Sequence, residues 1–219
     1  MERWVTFDCY GTLVDWRAGI RGELARLFGE GRSAELLSHY HRVEPASQVD
    51  GASSYRQVLA RTLAQVAADF GLAVPGGEED ALARSLPAWP VFPEVRTALI
   101  EARGRGWRLG ILSNTDRDLI EASVEALGVP FDLVVVASEI GSYKPRIRHW
   151  QVFAEQTGVS RDRQIHVAQS LFHDIAPASE LGIPSVWVNR LGEVPDAAPT
   201  RELPDLSALA DTLDVLLPS

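Results

Sequence analysis

Short apolar, β-branched runs recur along the chain at Trp4–Phe7, Leu109–Leu112, Leu133–Ala137, Ile165–Ala168 and Ser185–Val188. Near-continuous runs of this kind suit strands buried on both faces, as in a parallel sheet. Helical stripes lie between them. Val95, Ala98, Leu99 and Ala102 precede the second run, and Leu119, Ile120, Val124 and Leu127 follow it. Trp150, Val152, Phe153 and Gln156 precede the fourth run, and Ile175, Ala178 and Leu181 follow it. The alternation predicts an α/β fold with helices on both faces of the sheet and right-handed crossovers.

One gap breaks the rhythm. About 100 residues separate the first run from the second, far more than one crossover needs. The gap is itself helical. Tyr55, Val58, Leu59, Thr62, Leu63, Val66 and Phe70 trace an i, i+3, i+4, i+7 stripe. Leu24, Leu27 and Phe28 suggest an earlier helix, and Leu36, Leu37 and Tyr40 another. The reading is an inserted helical cap over residues 15–91, with the α/β core formed by 1–14 and 92–219. Pro87, Pro90 and Pro93 mark the far boundary, because proline cannot continue a helix. Gly71–Glu78 is expected to be a loop within the cap. The Pro-rich tail from Val194 to Pro204 is expected to be irregular, before a last helix near Leu206–Leu217.

Composition narrows the class. The 219 residues carry 21 Lys+Arg against 30 Asp+Glu, a net charge of −9, which argues against a nucleic-acid binder. A single cysteine excludes an intramolecular disulfide and a Cys-rich zinc site. No apolar run reaches the roughly 18 residues of a membrane span, so no membrane partner is expected. The N-terminus opens directly into a strand-like run without a signal-peptide core, and a cytoplasmic location is expected.

In open α/β sheets, ligands bind beyond the carboxyl ends of the strands. The first run ends Asp8-Cys9-Tyr10-Gly11-Thr12-Leu13, and the second ends Ser113-Asn114. The third leads to Lys144-Pro145, and the fourth to Gln169-Ser170 with Asp174 close behind. A carboxylate held ionised at a strand end can act as a nucleophile. A nearby ammonium keeps it charged and attracts an anionic substrate. Ser113 and Asn114 can donate hydrogen bonds, Thr12 can orient the carboxylate, and Gly11 permits a close backbone approach. Asp174 can hold Lys144, position a water or bind a cation. Asp174 also reads as a helix first-turn acid, and Lys144 as a surface lysine. Cys9 reads as a small core residue. The pair His39/His41 fits a solvated cap face, and His173 is a candidate base for a water.

Together these residues resemble the haloacid dehalogenase superfamily. Asp8-Cys9-Tyr10-Gly11-Thr12-Leu13 looks like its first motif, Leu112-Ser113-Asn114 its second, Lys144-Pro145 its third and the Asp174 region its fourth. The resemblance spans nearly the whole chain. It implies a Rossmann-like core, a cap inserted after the first strand, and Asp8 as nucleophile. The superfamily's phosphatases usually carry a second Asp two residues after the nucleophile, where this chain has Tyr10. Its dehalogenase branch has an aromatic there. A halide leaving group needs no proton, so the loss of a general acid makes chemical sense. The fourth motif reads Ala168-Gln169 instead of Gly-Asp, which leaves a poorer oxygen cage for Mg²⁺.

The resemblance therefore implies a 2-haloacid dehalogenase acting without a cofactor on a small anionic substrate. Asp8, Lys144, Asp174, Thr12, Ser113 and Asn114 would be catalytic. Tyr10, Gly11, Arg42, Ser113, Asn114 and Lys144 would bind substrate, with Arg42 and Asn114 cradling the halide. A homodimer is expected, because dimers are common among these relatives. Leu171 stands where the branch usually has a water-positioning asparagine, and Trp150 where an aromatic hydroxyl is common. Two alternatives stay open. One is a Mg²⁺-dependent phosphatase with Asp8, Tyr10 and Asp174 at the metal. The other is a catalytically impaired member kept as a binding protein.

Overall fold

A computed structural model of the chain describes residues 2–47, 53–195 and 197–218. Six parallel strands form one sheet in the order β3-β2-β1-β4-β5-β6: β1 (Arg3–Phe7), β2 (Trp107–Ser113), β3 (Leu133–Val136), β4 (Gln164–Ala168), β5 (Ser185–Val188) and β6 (Arg201–Leu203). The order reverses at β1, so the carboxyl ends of β1, β2 and β4 meet at the switch point where such sheets bind ligands. The residues of β1, β4 and β5 are all buried, which accounts for their predominantly apolar character.

Ten α-helices accompany these strands among the described residues. Four form the insertion after β1: α1 (Trp16–Phe28), α2 (Glu30–Ser47), α3 (Tyr55–Asp69) and α4 (Ala81–Ser85). The other six are α5 (Val95–Gly104), α6 (Arg117–Leu127), α7 (Ala137–Ile140), α8 (Arg148–Thr157), α9 (Ala176–Glu180) and α10 (Leu209–Leu216). Val95, Leu99, Leu209 and Leu213 pack with Val5, Phe7, Ile165 and Val186. Trp150, Phe153 and Ala178 pack with Trp4 and Leu112, which alternate to the opposite face. Helices thus cover both faces.

The insertion leaves and rejoins the sheet domain along one short ribbon. Val14 and Val91 form an antiparallel bridge, Asp15 N donates to Pro90 O at 2.7 Å, and Phe92 N donates to Leu13 O at 3.1 Å. The insertion does not float above the sheet. Ile20, Leu36, Tyr40 and Leu59 share a buried cluster with Ile111, Leu119 and Val136. Asp116, after β2, accepts from the Tyr55 and Arg56 amides at 2.9 and 3.0 Å. A carboxylate from one part of the chain thus caps a helix of the other, where the helix dipole favours negative charge. Ser54 and Gln57 complete a capping box at the same end of α3.

Two sequence expectations need revision. The tail from Val194 to Pro204 is not wholly irregular, since β6 pairs there with β5. Its residues, Arg201-Glu202-Leu203, are largely exposed, and an edge strand needs no apolar pattern. The stripe at Ile175–Leu181 begins earlier, as a single π-helical turn over Leu171–Ile175 that leads into α9. Such turns are rare and often occur at functional sites. Among the described residues, no helix is long and apolar enough to cross a membrane.

Gly19 in α1 faces the buried Trp89 indole, and a Cβ at this position would lie inside the ring. Gly→Ala in an exposed helix gains about 1 kcal/mol from propensity. Here the sign should reverse. Gly19→Ala is expected to destabilise by about 1–3 kcal/mol through overpacking, measured by urea denaturation.

Candidate active site

The cluster at the sheet's carboxyl edge is built around Lys144. Its side chain is 1% exposed, and a lysine buried to this extent needs an acceptor for each ammonium hydrogen. Nζ donates to Asp8 Oδ1 at 2.9 Å, to Asp174 Oδ1 at 2.6 Å and to the Leu112 carbonyl at 2.8 Å. All three hydrogens are therefore used. The backbone of Lys144 is clamped as well. Its N–H donates to Asn114 Oδ1 at 2.6 Å, and its carbonyl accepts from Asn114 Nδ2 at 3.0 Å.

Asp8 is fixed from its other oxygen by Thr12, whose hydroxyl donates to Oδ2 at 3.1 Å. Thr12 Oγ1 in turn accepts from the Gln169 amide at 3.0 Å, which ties the loop after β1 to the end of β4. Gly11 makes that loop possible. Its φ is +100°, and a Cβ would meet Trp16 Nε1 at 3.0 Å and Gln169 Oε1 at 3.2 Å. Asp174 Oδ1 also lies 2.9 Å from His166 Nε2, whose Nδ1 lies 2.9 Å from Thr6 Oγ1. An Nε2–H tautomer donating to the carboxylate and accepting from Thr6 satisfies both contacts.

Burial sets the electrostatics. Desolvation raises Asp8 above the usual carboxylate range, and Asp174 adds to this, although Lys144 opposes it. For Asp174, burial also favours protonation, but Lys144 and His166 outweigh it and hold the carboxyl well below its ordinary value. For Lys144, burial works against the charge, yet Asp174 and Asp8 hold the ammonium above its ordinary value. The result is one strongly held carboxylate, one charged amine, and a second carboxylate that is more basic than usual. Cys9 does not compete as a nucleophile. Burial first, then the Asp8 charge, pushes its thiol far up.

A cavity of about 240 Å³ lies over Asp8, Lys144 and Asp174. Ser113 and Asn114 line it from the sheet, Tyr10 and Tyr55 from between the two parts, and His41 and Glu44 from α2. Ser113 Oγ is buried without a partner among the described residues, which suits a hydroxyl meant for a ligand. His149 Nε2 donates to the Ser113 carbonyl at 3.1 Å. Burial, then Lys144, draws His149 down to about 3, so the ring is neutral near pH 7. His173 lines the same cavity, with Nδ1 3.1 Å from Ser170 Oγ. Burial lowers its pKa and favours the neutral ring.

The structure brings together Asp8, Thr12, Tyr10, Ser113, Asn114, Lys144 and Asp174. Other expectations change. Arg42 lies on the outer face of α2, bonded to His39 Nδ1 at 2.9 Å, and does not line the cavity. Gly11 lines a neighbouring cleft, and its N–H donates to Val14 O at 2.8 Å. Asn114 clamps the Lys144 backbone through both ends of its amide and also lines the cavity. Lys144 lines the cavity while its three hydrogens meet Asp8, Asp174 and Leu112. His41 is not on a solvated face, whereas His39 is paired with Asp69 on the outer side. His166 escaped sequence reasoning, yet a signal existed. Thr6 and His166 are polar, sit in register on two doubly buried strands, and so require partners.

A family model for haloacid dehalogenase-like hydrolases matches residues 2–182. Haloacetate dehalogenase H-2 of Moraxella sp. (strain B) is 28% identical over 204 residues, covering 88% of this chain and 91% of its own. The phosphoserine phosphatase of Thermus thermophilus is 31% identical over 131 residues, 58% of this chain and 53% of its own. Among crystal structures, the L-2-haloacid dehalogenase RSc1362 superposes with a TM-score of 0.87 at 25% identity, covering 97% of this chain and 99% of that one.

If Asp8 must be ionised to act, the acid limb of kcat/KM lies above its ordinary value of 3.8. Lys144→Met removes the opposing cation, so the limb should move to still higher pH while turnover falls. An unchanged limb would contradict the electrostatic role of Lys144. The same variant breaks a buried pair, with an expected stability loss of about 3–5 kcal/mol by urea denaturation.

Proposed function

The chain belongs to the haloacid dehalogenase-like hydrolases, and on that premise we propose that it removes halide from a small 2-haloalkanoate through an Asp8 ester. The observation that carries this reading is the orientation of Tyr10. Its hydroxyl lies 3.1 Å from Ser123 Oγ on α6, and its ring stacks on Tyr55 at 6.1 Å. The position at which a phosphatase of the superfamily would place an acid thus offers only an aromatic face to the cavity. Burial pushes the Tyr10 phenol up, so it keeps its proton. A leaving alkoxide would lack a proton donor here, whereas a leaving halide needs none.

In the proposed reaction, an Asp8 oxygen attacks the carbon bearing the halogen. The C–O bond forms as the C–X bond breaks, and the electron pair leaves with the halide. Water then adds to the Asp8 carboxyl carbon and expels the 2-hydroxy acid, which restores the carboxylate. The net products are hydroxy acid, halide and one proton. Asp174 Oδ1 is held by Lys144 and His166, and in this reading neutral His173 on the cavity wall takes the proton from water. A carboxylate made more basic by burial is the better nucleophile, provided Lys144 keeps it charged. The burial of Asp8, Lys144 and Asp174 at the cavity floor strengthens these charges.

The phosphatase reading would route catalysis through Mg²⁺, and the local donor set does not suit that ion. The Lys144 ammonium lies between Asp8 and Asp174 and donates to both. Asp174 Oδ1 also meets His166, and position 169 is glutamine instead of a carboxylate. Among the described residues, no group of three His, Cys, Asp or Glu side chains is placed to hold a metal. Octahedral Mg²⁺ needs several oxygen ligands, and this edge offers two carboxylates already bridged by an ammonium.

Chloride release from (S)-2-chloropropionate, followed by ion-selective electrode, checks the reading. EDTA should leave the rate unchanged, and Asp8→Asn should lower it by at least about a thousandfold. EDTA-sensitive phosphate release from monoesters without chloride release would overturn it.

A further inference from the structure

We propose that the cleft beside the catalytic cavity is an extension subsite for the substrate chain, with Arg17 reading a second anionic group, so that 2-halodicarboxylates are preferred over plain 2-haloalkanoates. The inference rests on the dehalogenase reading and narrows its substrate class.

The cleft has a volume of about 910 Å³, against about 240 Å³ for the cavity over Asp8. Trp16, His41 and Gln169 line both, so the two spaces meet at these side chains. The smaller one suits the reacting end of a short acid and leaves little room for more. A chain continuing past the seam would enter the cleft beside the first turn of α1.

Three arginines line that cleft, and two are already neutralised. Arg21 pairs with Glu30 at 3.0 Å. Arg190 pairs with Glu94 at 2.7 Å, donates to the Thr12 carbonyl at 2.8 Å and lies over the Phe92 ring at 3.7 Å. Arg17 differs. Its Nη1 lies 3.2 and 3.3 Å from the two ring nitrogens of His41, and it pairs with no carboxylate among the described residues. Burial, then the Arg17 charge, pulls His41 down to about 4, so the imidazole is neutral near pH 7. The half-buried guanidinium therefore stands at the seam with no carboxylate paired to it among the described residues. Asp15 and Glu193 also line the cleft as carboxylates, each hydrogen-bonded to a neutral N–H and neither paired with Arg17. Asp15 caps α1 through the Ala18 amide at 3.0 Å, and Glu193 accepts from Gln169 Nε2 at 3.4 Å. Guanidinium binds carboxylate through a two-pronged geometry, which matches a terminal carboxylate better than a neutral group. Arg17 faces the cleft, not the cavity over Asp8, so the anion it reads is not the one beside the reacting carbon.

The test compares kcat/KM for 2-chloropropionate and 2-chlorobutanoate with 2-chlorosuccinate, 2-chloroglutarate, 2-chloroadipate and the terminal amide of the best of these. The best dicarboxylate is expected to exceed the monocarboxylates at least tenfold, mainly through KM, and its terminal amide should lose that advantage. Arg17→Gln should collapse the dicarboxylate-to-monocarboxylate ratio, and Arg17→Lys should restore part of it. Monocarboxylates equal to or better than every dicarboxylate, an amide as good as the acid, or an unchanged ratio in Arg17→Gln would each overturn the proposal. Chloride release from none of the acids would instead overturn the dehalogenase reading on which it rests.

Discussion

A single ammonium group organises this molecule's chemistry. Lys144 is enclosed, and each of its three hydrogens meets an acceptor on a different element: the loop after β1, the end of β2 and the turn after β4. Burying one charge without partners would be prohibitive, and burying it between two carboxylates is tolerable only when the geometry is tight. The cluster therefore constrains three strand ends at once. It also divides the labour between two acids that are chemically alike. Asp174 takes the strong contacts and stays ionised as a counter-charge, while Asp8 remains the more basic of the two and faces the cavity. On the proposed reading, Lys144 acts through Asp8, whose charge it sustains.

The inserted helices complete this arrangement by supplying walls. They share a hydrophobic cluster with the sheet domain, and Asp116 caps α3 across the division. The two parts thus hold the cavity between them through apolar packing and a backbone–carboxylate contact. Tyr10 stands at the junction, with its ring against Tyr55 and Trp89 and its hydroxyl directed to α6. Its ring lines the space above Asp8 while its hydroxyl points away to Ser123.

Much of this was legible in the sequence, for identifiable reasons. Parallel strands packed between helices are predominantly apolar, so β1 to β5 stand out, and polar residues beyond their ends mark the sheet's chemical edge. Asp8, Thr12, Ser113, Lys144 and Asp174 are found this way. What remained hidden depends on helix rotation and on hydrogen-bond saturation. Leu37, His41 and Glu44 follow one stripe of α2, i, i+4 and i+7, and this stripe turns inward. Arg42 is one residue, and so about 100°, away from His41, which places it outside. Periodicity supports the stripe, but only packing decides which end of it reaches the cavity. Likewise, no spacing rule reveals that Asn114 spends its amide on the Lys144 backbone, or that β6 exists as an exposed edge.

The central claim is that Asp8 becomes covalently esterified and that water regenerates it by attacking its carboxyl carbon. A single turnover in ¹⁸O-labelled water, with excess enzyme over (S)-2-chloropropionate and mass spectrometry of the peptide containing Asp8, tests this most directly. One ¹⁸O is expected in the Asp8 carboxylate and none in the first hydroxy acid released. Label in the product with none in Asp8 would mean direct attack by water and would contradict the account.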